Sequence, residues 1–412
     1  MFEYSIIIPV YNKYQLTHDC LLSLKDCIKH DNFEVIVVDN ASSDESECEI
    51  PKLGTKLFSQ RFTYIRNNEN RNFAGACNQG AKVAKSDFLC FLNNDTIMTN
   101  DWDQPLLHAL KTEAKLGAVG PVLLYADNTV QHIGITVKPQ GCISHFYRLF
   151  PAEHKVVKKR RKLNFITAAV LMIHKNKFFA AGAFNEAYKN GFEDIELCFK
   201  LRELGFELSV IPESTVYHLE SQSPGRKDSE LNNANIFNTN FPIIPVDWQN
   251  ILLDDGYLFS LNENFYMDID IPKEHIIYSQ SLQCQTTNDL ASLLETEPYW
   301  QEGYTHLANI FEEHKDFYRA LDVYKKQSYF VLNQALIDNA NKILAKLDKS
   351  TTQSLVDISS LDKELLNSHK PERIRAIYKT IMTALEKYPD TNLKALIKEW
   401  RKKYGVKYLA QQ

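Results

Sequence analysis

Two stretches near the N-terminus decide the fold class: SIIIPVYN at residues 5–12 and VIVVDNASSD at residues 35–44. Each starts as a run of mostly β-branched residues and ends in polar ones, which is typical of a buried strand followed by a loop. The amphipathic stretch 16–29 lies between them and predicts a helix. The alternation of strand and helix predicts an α/β domain with a mostly parallel sheet.

The same pattern continues along the first half of the chain. Further strands are predicted at residues 63–66, 88–92, 118–124, 130–137, 165–173 and 207–211, and further helices at 72–85 and 193–204. The pattern is lost at 141–163, which contains the basic run 155–162, and this predicts a mobile loop. A solvated loop is one reading of the basic run. A lid over a diphosphate, or an attraction for an anionic acceptor or membrane, is the other.

The second half of the chain has a different character. Beyond Pro224 the sequence is polar and rich in asparagine, and from about residue 290 it reads as helix throughout. Five positions have the spacing of one tetratricopeptide-type helical hairpin: Leu307, Ala308, Phe311, Ala320 and Tyr324. We therefore predict an α/β domain at 1–225, a linker or wrap-around segment at 226–289 and an all-α domain at 290–412.

Composition limits the classes of function. The 412 residues include 47 Lys and Arg against 52 Asp and Glu, so the net charge is −5 and no nucleic-acid partner is predicted. Eight scattered cysteines without a CxxC pair indicate reduced thiols in the cytoplasm. The N-terminus lacks a basic start, and the longest apolar run, 165–173, is too short to span a bilayer. We expect a cytoplasmic protein, with peripheral contact at the inner face of the membrane as an alternative. The oligomeric state is not predicted.

Candidate site residues follow three predicted strands, where open α/β sheets bind their ligands. Tyr11 and Asn12 end the first strand, Asp39 the second, and the turn Asn93-Asn94-Asp95 follows the strand at 88–92. An acid after the second strand suits a base or ribose contact, and an acid in the later turn suits a metal–diphosphate complex. Each acid taken alone is also a common turn former. The dinucleotide, P-loop, nucleophile-elbow and HExxH motifs are absent from the sequence.

The chain resembles the family-2 glycosyltransferases of the GT-A fold, especially a bacterial rhamnosyltransferase-like branch. The resemblance rests on ordered motifs at residues 5–12, 35–44, 70–81, 91–96, 165–175, 184–205 and 216–220. It covers about residues 1–225. It implies a nucleotide-diphospho-sugar transferase fold, in which a mixed, mostly parallel sheet is flanked by helices.

The resemblance also implies roles for individual residues. Asp194 would be the general base, although an acid at a helix start is also a common cap. Asp95 would bind Mg²⁺ or Mn²⁺ in the place of the family's DxD motif, whose first acid is Asn93 here. His218 would complete the metal shell, or else only cap its strand. The residues that would bind the nucleotide sugar are Pro9, Tyr11, Asn12, Asp39, Arg71, Asn72, Gly75, Asn78, Asn93 and Asn94.

The implied activity is an inverting, metal-dependent transfer of hexosyltransferase type. The donor would be a UDP- or dTDP-linked sugar, and the acceptor a hydroxyl of a bacterial surface glycan of the lipopolysaccharide or capsule type, including a lipid-linked glycan. Two alternatives stay open: a protein O-glycosyltransferase whose helical domain holds a polypeptide, and an inactive scaffold in a glycan-assembly complex. The last helix sets Lys394, Lys398, Arg401 and Lys402 against an apolar face. That face either packs into the domain or lies on an anionic membrane.

Overall fold

The computed structural model describes residues 2–219, 226–347 and 370–409. The chain divides into two compact units. The first unit consists of Met1–Thr136, His145–Arg148 and Lys155–Pro242. The second unit consists of Val137–Ser144, Leu149–His154 and Ile243–Gln412. No helix in the described residues is both long enough and apolar enough to cross a bilayer.

The strands up to residue 218 are β1 (Tyr4–Val10), β2 (Phe33–Asp39), β3 (Phe62–Arg66), β4 (Phe88–Leu92), β5 (Thr96–Met98), β6 (Leu116–Leu124), β7 (Val130–His132), β8 (Ile135–Val137), β9 (Ile143–His145), β10 (Val170–His174) and β11 (Glu207–His218). The helices of the first unit are α1 (Tyr14–Cys27), α2 (Ser46–Phe58), α3 (Asn72–Val83), α4 (Asp103–Thr112), α5 (Lys175–Ala180), α6 (Glu193–Glu203) and α7 (Arg226–Asn240).

Nine of these strands form one mixed sheet in the order β3-β2-β1-β4-β10-β6-β11-β5, with β7 paired to β6. Strands β1 to β4 run parallel, whereas β10 is antiparallel to both of its neighbours. Because β10 is antiparallel, its first residue, Val170, lies opposite Leu92, the last residue of β4. The sheet edge at the carboxyl end of β4 therefore also receives the residues that precede β10. This mixed sheet with flanking helices confirms the predicted fold class.

The core of the first unit follows from the runs of apolar residues in the central strands. Every residue of β2 is buried, and so are six of the seven in β1. Helix α3 approaches the sheet closely because it is rich in small residues: a Cβ at Gly80 would lie 2.5 Å from Cγ2 of Ile7. Any larger residue at Gly80 would push α3 away from β1.

The structure differs from the sequence predictions in several segments, including the three that follow. Helix α2 was not predicted, because Pro51 and Gly54 lie inside it, but Gly54 gives the ring of Phe62 room to pack. The segment 141–163, expected to be a mobile loop, contains β9 and the buried side chains of Phe146 and Val156. Its apolar residues are separated by turns, so they show no helix or strand period. The buried strand predicted at 165–173 begins only at Val170.

The second unit contains a strand pair, β12 (Leu258–Leu261) and β13 (Met267–Asp270), and helices α8 (Trp248–Asp254), α9 (Ile276–Ser281), α10 (Thr287–Thr296), α11 (Gln301–Glu313), α12 (Phe317–Ser328), α13 (Gln334–Leu344), α14 (Pro371–Lys387) and α15 (Thr391–Leu409). The described residues beyond 290 are thus helical, as predicted. Of the expected linker, 226–242 belongs to the first unit and 243–289 to the second.

A buried polar cluster joins distant parts of the sequence within the second unit. The Glu297 carboxylate lies 3.3 Å from Nε2 of His154 and 3.5 Å from Nε2 of His275, and it accepts a hydrogen bond of 3.1 Å from the Tyr257 hydroxyl. His154 and Glu297 are 143 residues apart in sequence. A buried carboxylate requires such partners to offset its loss of hydration.

Candidate active site

The turn Asn93-Asn94-Asp95 follows β4 and is held between two neighbouring strands. The backbone N–H of Asn93 donates to the carbonyl oxygen of Ala169, just before β10 (2.8 Å). The backbone N–H of Leu219, just after β11, donates to the carbonyl oxygen of Asp95 (2.9 Å). The backbone of the turn that carries Asp95 is therefore held by the sheet.

Asp95 and His218 form a close pair at this edge. Oδ1 of Asp95 lies 3.1 Å from Nε2 of His218, and both side chains are buried. Nδ1 of His218 lies 2.6 Å from the side-chain oxygen of Gln131, so we assign the proton to Nδ1. In this tautomer Nε2 carries a lone pair and accepts from the Asn93 amide at 3.3 Å. Two acceptor atoms then face each other, and a proton or a cation between them relieves the contact.

The geometry of this pair fits a divalent metal. Two ligands at right angles, each about 2.1 Å from a metal ion, lie about 3 Å apart. The Asp95 oxygen also finds no hydrogen-bond donor among the described residues. Within those residues no group of three or more His, Cys, Asp or Glu side chains has a metal-binding arrangement. A metal here would therefore need oxygen ligands from elsewhere, such as a diphosphate.

Gln131 holds His218 from two sides, because its amide nitrogen also donates to the backbone oxygen of His218 (2.9 Å). We expect Gln131→Leu to weaken Mn²⁺ binding by about 10–100-fold, since loss of the group that orients a metal ligand has that effect. Calorimetric titration with Mn²⁺ and a nucleoside diphosphate measures the change. Gln104→Leu is a matched control on α4. An unchanged affinity in Gln131→Leu would contradict the orienting role.

The Asp39 carboxylate lies at the end of β2 and is fully buried. It accepts from the Ser42 backbone N–H (2.8 Å) and from the Tyr64 hydroxyl (2.6 Å). Burial, together with the hydrogen bond to Asp39, raises the pKa of Tyr64 well above its ordinary value, so Tyr64 stays a donor. Both carboxylate oxygens are thus already bound, and a nucleobase would use their second lone pairs or displace Tyr64.

The loops after β1 and β2 are tied together beside Asp39. The Asn12 backbone N–H donates to the Ser42 hydroxyl, and the Asn12 side-chain oxygen accepts from the Ser43 backbone N–H, both at 2.8 Å. Tyr11 projects with 52% of its surface exposed, whereas Pro9 lies within β1. An open cleft of about 700 Å³ lies at the ends of β2 and β3, lined by Ala41, Ser42, Ser43, Glu47, Arg66 and Asn68.

Some of the α3 residues that the sequence predicts to line the sugar pocket hold the fold together instead. Asn78 is buried, and its amide exchanges hydrogen bonds with the backbone N–H and carbonyl of Phe184 (3.1 and 2.8 Å). A Cβ at Gly75 would lie 2.8 Å from Cβ of Arg71, so Gly75 permits close packing. Arg71 itself forms an ion pair with Glu186 at 3.1 Å.

Two asparagines of the predicted set hold local structure. The backbone oxygen of Asn72 accepts a hydrogen bond from the Asn40 side-chain amide (3.0 Å), and the φ of Asn72, 56°, lies in the left-handed region that Asn tolerates. The Asn94 amide donates to the Thr17 hydroxyl at 2.9 Å, which fixes the turn to α1. Of the turn residues, Asp95 and Asn93 are therefore the ones that meet His218.

Three acids at the start of α6 are candidates for a general base: Glu193, Asp194 and Glu196. Oδ1 of Asp194 accepts from the Ile195 backbone N–H (2.9 Å) and Oδ2 from the Ala168 backbone N–H (3.1 Å). Glu193 is buried and accepts from the Gly191 backbone N–H at 2.7 Å. Glu196 is buried deeper in the protein. Asp194, which is only half-buried, is the acid of this group best placed to reach a substrate.

Glu196 holds the α6 region together through three side chains. It accepts from the Tyr188 hydroxyl (2.7 Å), the Asn185 amide (3.2 Å) and Lys200 (2.6 Å). Burial alone would raise the pKa of Glu196, but these partners outweigh burial and lower it. Glu196 is therefore a structural carboxylate that stays ionised.

We expect Glu196→Gln to lower the free energy of unfolding by about 1–3 kcal/mol at neutral pH, because Lys200 and Tyr188 lose a charged acceptor. Because the pKa of Glu196 is lower in the folded state, its ionised form stabilises the fold at pH values above the ordinary glutamate pKa of about 4.3. This stabilisation is lost as the pH falls through the folded-state pKa. The difference between variant and parent should therefore shrink below about pH 4. Denaturant unfolding across this pH range measures the difference in free energy of unfolding. A difference that does not depend on pH would contradict the role of Glu196 as an ionised structural carboxylate.

The segment 167–169 joins the acidic turn, Asp194 and a buried histidine. Ala169 binds the Asn93 backbone and Ala168 binds Asp194, while the Thr167 backbone N–H points to Nε2 of His132 (3.5 Å). His132 also lies 2.8 Å, Nδ1 to Nδ1, from His145. Burial, with His145 and His218 nearby, holds the pKa of His132 well below its ordinary value, so His132 stays neutral. The candidate metal pair and the candidate base are thus connected by one short segment.

Residues 5–187 match the family model described as Glycosyl transferase family 2. Residues 5–187 therefore form a family 2 glycosyltransferase domain. Three relatives align with it: protein y4gI of Sinorhizobium fredii (30% identity over 55% of this chain and 25% of that protein), the O-antigen biosynthesis protein RfbC of Myxococcus xanthus (29%, 53% and 17%) and the amylovoran biosynthesis glycosyltransferase AmsB of Erwinia amylovora (24%, 57% and 76%).

The alignment covers only a quarter or less of the first two relatives. The glycosyltransferase domain includes β1 to β10 and the predicted nucleotide-sugar residues, while Asp194 and His218 lie beyond residue 187. Four residues that the sequence did not single out contribute to its site: Tyr64, Gln131, His132 and Glu186. Gln131 and His132 sit on the short strand β7, where no motif marks them. Only their strand pairing with β6 brings them to the site.

Proposed function

We propose that the protein is an inverting, metal-dependent glycosyltransferase. The donor is a UDP- or dTDP-linked sugar, and the acceptor is a hydroxyl of a bacterial surface glycan. The observation that carries the proposal is the Asp95–His218 pair, joined through residues 167–169 to the Asp194 carboxylate. The relatives named for O-antigen and amylovoran biosynthesis support a glycan acceptor.

The donor would extend from the cleft at the ends of β2 and β3 to the metal pair. Asp39 and Asn12 would bind the nucleoside, because both bond to Ser42, which lines that cleft. Tyr11, the exposed residue next to Asn12, would contribute to the same site. Arg71 and Asn72, at the start of α3, would face the sugar diphosphate. A helix start adds favourable electrostatics for an anion.

Asp95 and His218 would hold Mg²⁺ or Mn²⁺ against the diphosphate. Such an ion neutralises the charge that develops on the leaving group. Gln131 keeps Nε2 of His218 available by binding Nδ1, and Asn93 helps to orient the ring.

Asp194 would take the proton of the acceptor hydroxyl as the new glycosidic bond forms. Two backbone N–H groups, from Ile195 and Ala168, donate to its oxygens and fix the direction of the carboxylate. A base held in this way serves one face of the sugar, as inversion at the anomeric carbon requires.

Release of nucleoside diphosphate tests this proposal. We expect purified protein with Mn²⁺ to release UDP or dTDP slowly from one sugar nucleotide by hydrolysis, and faster when a surface-glycan acceptor is added. Asp194→Asn and EDTA are the matched controls. A protein that releases no nucleoside diphosphate from any sugar nucleotide, with or without acceptor, would be a scaffold and not an enzyme.

We propose that the second unit selects the acceptor. A truncation at residue 290 would remove Glu297, the buried partner of His154 and His275, so substitutions in the full chain are the better test. Tyr318 and Tyr329 are exposed aromatic residues at the two ends of α12. Replacing both by alanine should reduce transfer to the natural acceptor several-fold while hydrolysis of the donor is unchanged. Leu282→Ala, another exposed change in this unit, is the control. Transfer at the parent rate in the tyrosine variant would contradict a role for this surface.

A further inference from the structure

Helix α15 buries its apolar side inside the second unit. Leu393, Ile397 and Trp400 are buried on that side. The Trp400 ring stacks on Phe265 with the ring centres 4.1 Å apart, and its indole N–H donates to the backbone oxygen of Asn262 (2.9 Å). The apolar face predicted from the sequence is therefore used for packing.

The outer side of α15 carries a row of cations that packing does not require. Lys394, Lys398, Arg401 and Lys402 are all exposed and recur at helical spacing, so they share one face; we call them the cationic stripe. Their α-carbons span about 12 Å along the helix. Glu399 is the only acid of α15, and it pairs with Lys402 at 2.7 Å.

The stripe is unfavourable for the fold by itself. Like charges four residues apart on a helix repel each other, and both Lys394–Lys398 and Lys398–Lys402 have this spacing. The chain as a whole is acidic, with a net charge of −5, so the stripe does not reflect a generally basic protein. A local concentration of positive charge of this kind fits an anionic partner.

One apolar residue distinguishes between anionic partners. Val406 follows Lys402 by one helical turn on the same outer side, and 84% of its surface is exposed. A bilayer interface accepts both a cation row and an apolar side chain beside it. A nucleic acid would instead favour aromatic rings for stacking, and Tyr404 of this helix is half-buried against Trp400.

We propose that the cationic stripe and Val406 dock α15 on an anionic membrane surface, with the helix parallel to the bilayer. This goes beyond the glycosyltransferase activity and does not depend on it. The packed side of α15 stays within the second unit. Lipid headgroups meet the four cations, and Val406 reaches toward the boundary of the acyl chains.

Co-sedimentation with vesicles tests the proposal on the full chain. The probes are vesicles of phosphatidylcholine alone and of phosphatidylcholine mixed with phosphatidylglycerol. We expect binding to the anionic vesicles only, and weaker binding at higher salt. Each cation near an anionic surface strengthens partitioning roughly fivefold, so replacing all four stripe residues by glutamine should reduce it on the order of 100-fold or more.

The matched control removes the same charge elsewhere. Exposed lysines of the first unit, replaced together by glutamine, should bind like the parent: Lys25, Lys56, Lys82 and Lys115. Val406→Ser should weaken binding several-fold at every salt concentration. Thermal unfolding checks that each variant is folded. The proposal is overturned if the stripe variant binds like the parent, if the control loses as much binding, if neutral vesicles bind equally, or if a DNA oligonucleotide binds and anionic vesicles do not.

Discussion

Asp95→Ala is expected to abolish sugar transfer and to remove the metal-dependent part of donor binding. Asp95 is the only acid in the turn after β4, and its Oδ1 faces His218 at 3.1 Å. Without the carboxylate, His218 is the one remaining ligand of the pair, and a single imidazole is a weak site for Mn²⁺ or Mg²⁺. Calorimetry of donor binding, with Mn²⁺ and with EDTA, measures the loss directly.

Asp87→Ala is the control for this experiment. Asp87 is an exposed acid directly before β4, at the opposite end of that strand from the turn, so this change should leave the metal-dependent part of donor binding in place. Equal affinity of the unmutated protein for its donor in Mn²⁺ and in EDTA would refute metal-dependent binding altogether. A normal transfer rate in Asp95→Ala would move the metal to other residues.

Asp194→Asn should leave the fold, the metal site and donor binding intact, and cut turnover by about 10²–10⁴-fold. Asparagine keeps the shape of the side chain and one oxygen for a backbone N–H, but it cannot take a proton from the acceptor. Single-turnover rates at saturating donor isolate the chemical step from product release.

The neighbouring acids provide the comparison. Glu193→Gln should reduce turnover less than Asp194→Asn does, because the Glu193 carboxylate accepts a hydrogen bond from the backbone N–H of Gly191. Glu196→Gln should reduce turnover least of the three. Glu196 binds Tyr188 and Lys200, so its loss should appear in stability and not in the chemical step. Near-normal chemistry in Asp194→Asn, or a larger loss in Glu193→Gln, would assign the base elsewhere.

The sequence predicts the central strands well because burial on both faces leaves an unbroken apolar run. Strands β1, β2 and β4 are of this kind, and their ends locate Asn12, Asp39 and Asp95. Strand β11 extends beyond its predicted part, 207–211, to His218. The sequence pattern misses the second part because the pairing of β11 with β6 is irregular between Ile211 and Thr215. A strand that resumes after such an irregularity does not appear as one periodic run.

Only part of the candidate site can be predicted from the sequence, because some of its residues come together only through strand pairing. Motifs report residues that lie close together along the chain, and Asp95 and Asp194 belong to such motifs. Gln131 meets His218 from 87 residues away, through the pairing of β7 with β6. The hydrogen bonds of Asp39 with Tyr64 and of Asn78 with Phe184 cannot be predicted from the sequence either, because each joins residues that are far apart along the chain.

The composition of the second unit has a consequence for how the protein is made and how it can evolve. Pieces of chain at 137–144 and 149–154 leave the ribosome about ninety residues before the rest of that unit begins at Ile243. Phe150 leaves the ribosome 149 residues before Tyr299, against which its ring packs with the ring centres 4.9 Å apart. Such long loops close late and slow folding. Moving the helical unit to another protein would therefore also require the two pieces 137–144 and 149–154, which lie before it in the chain.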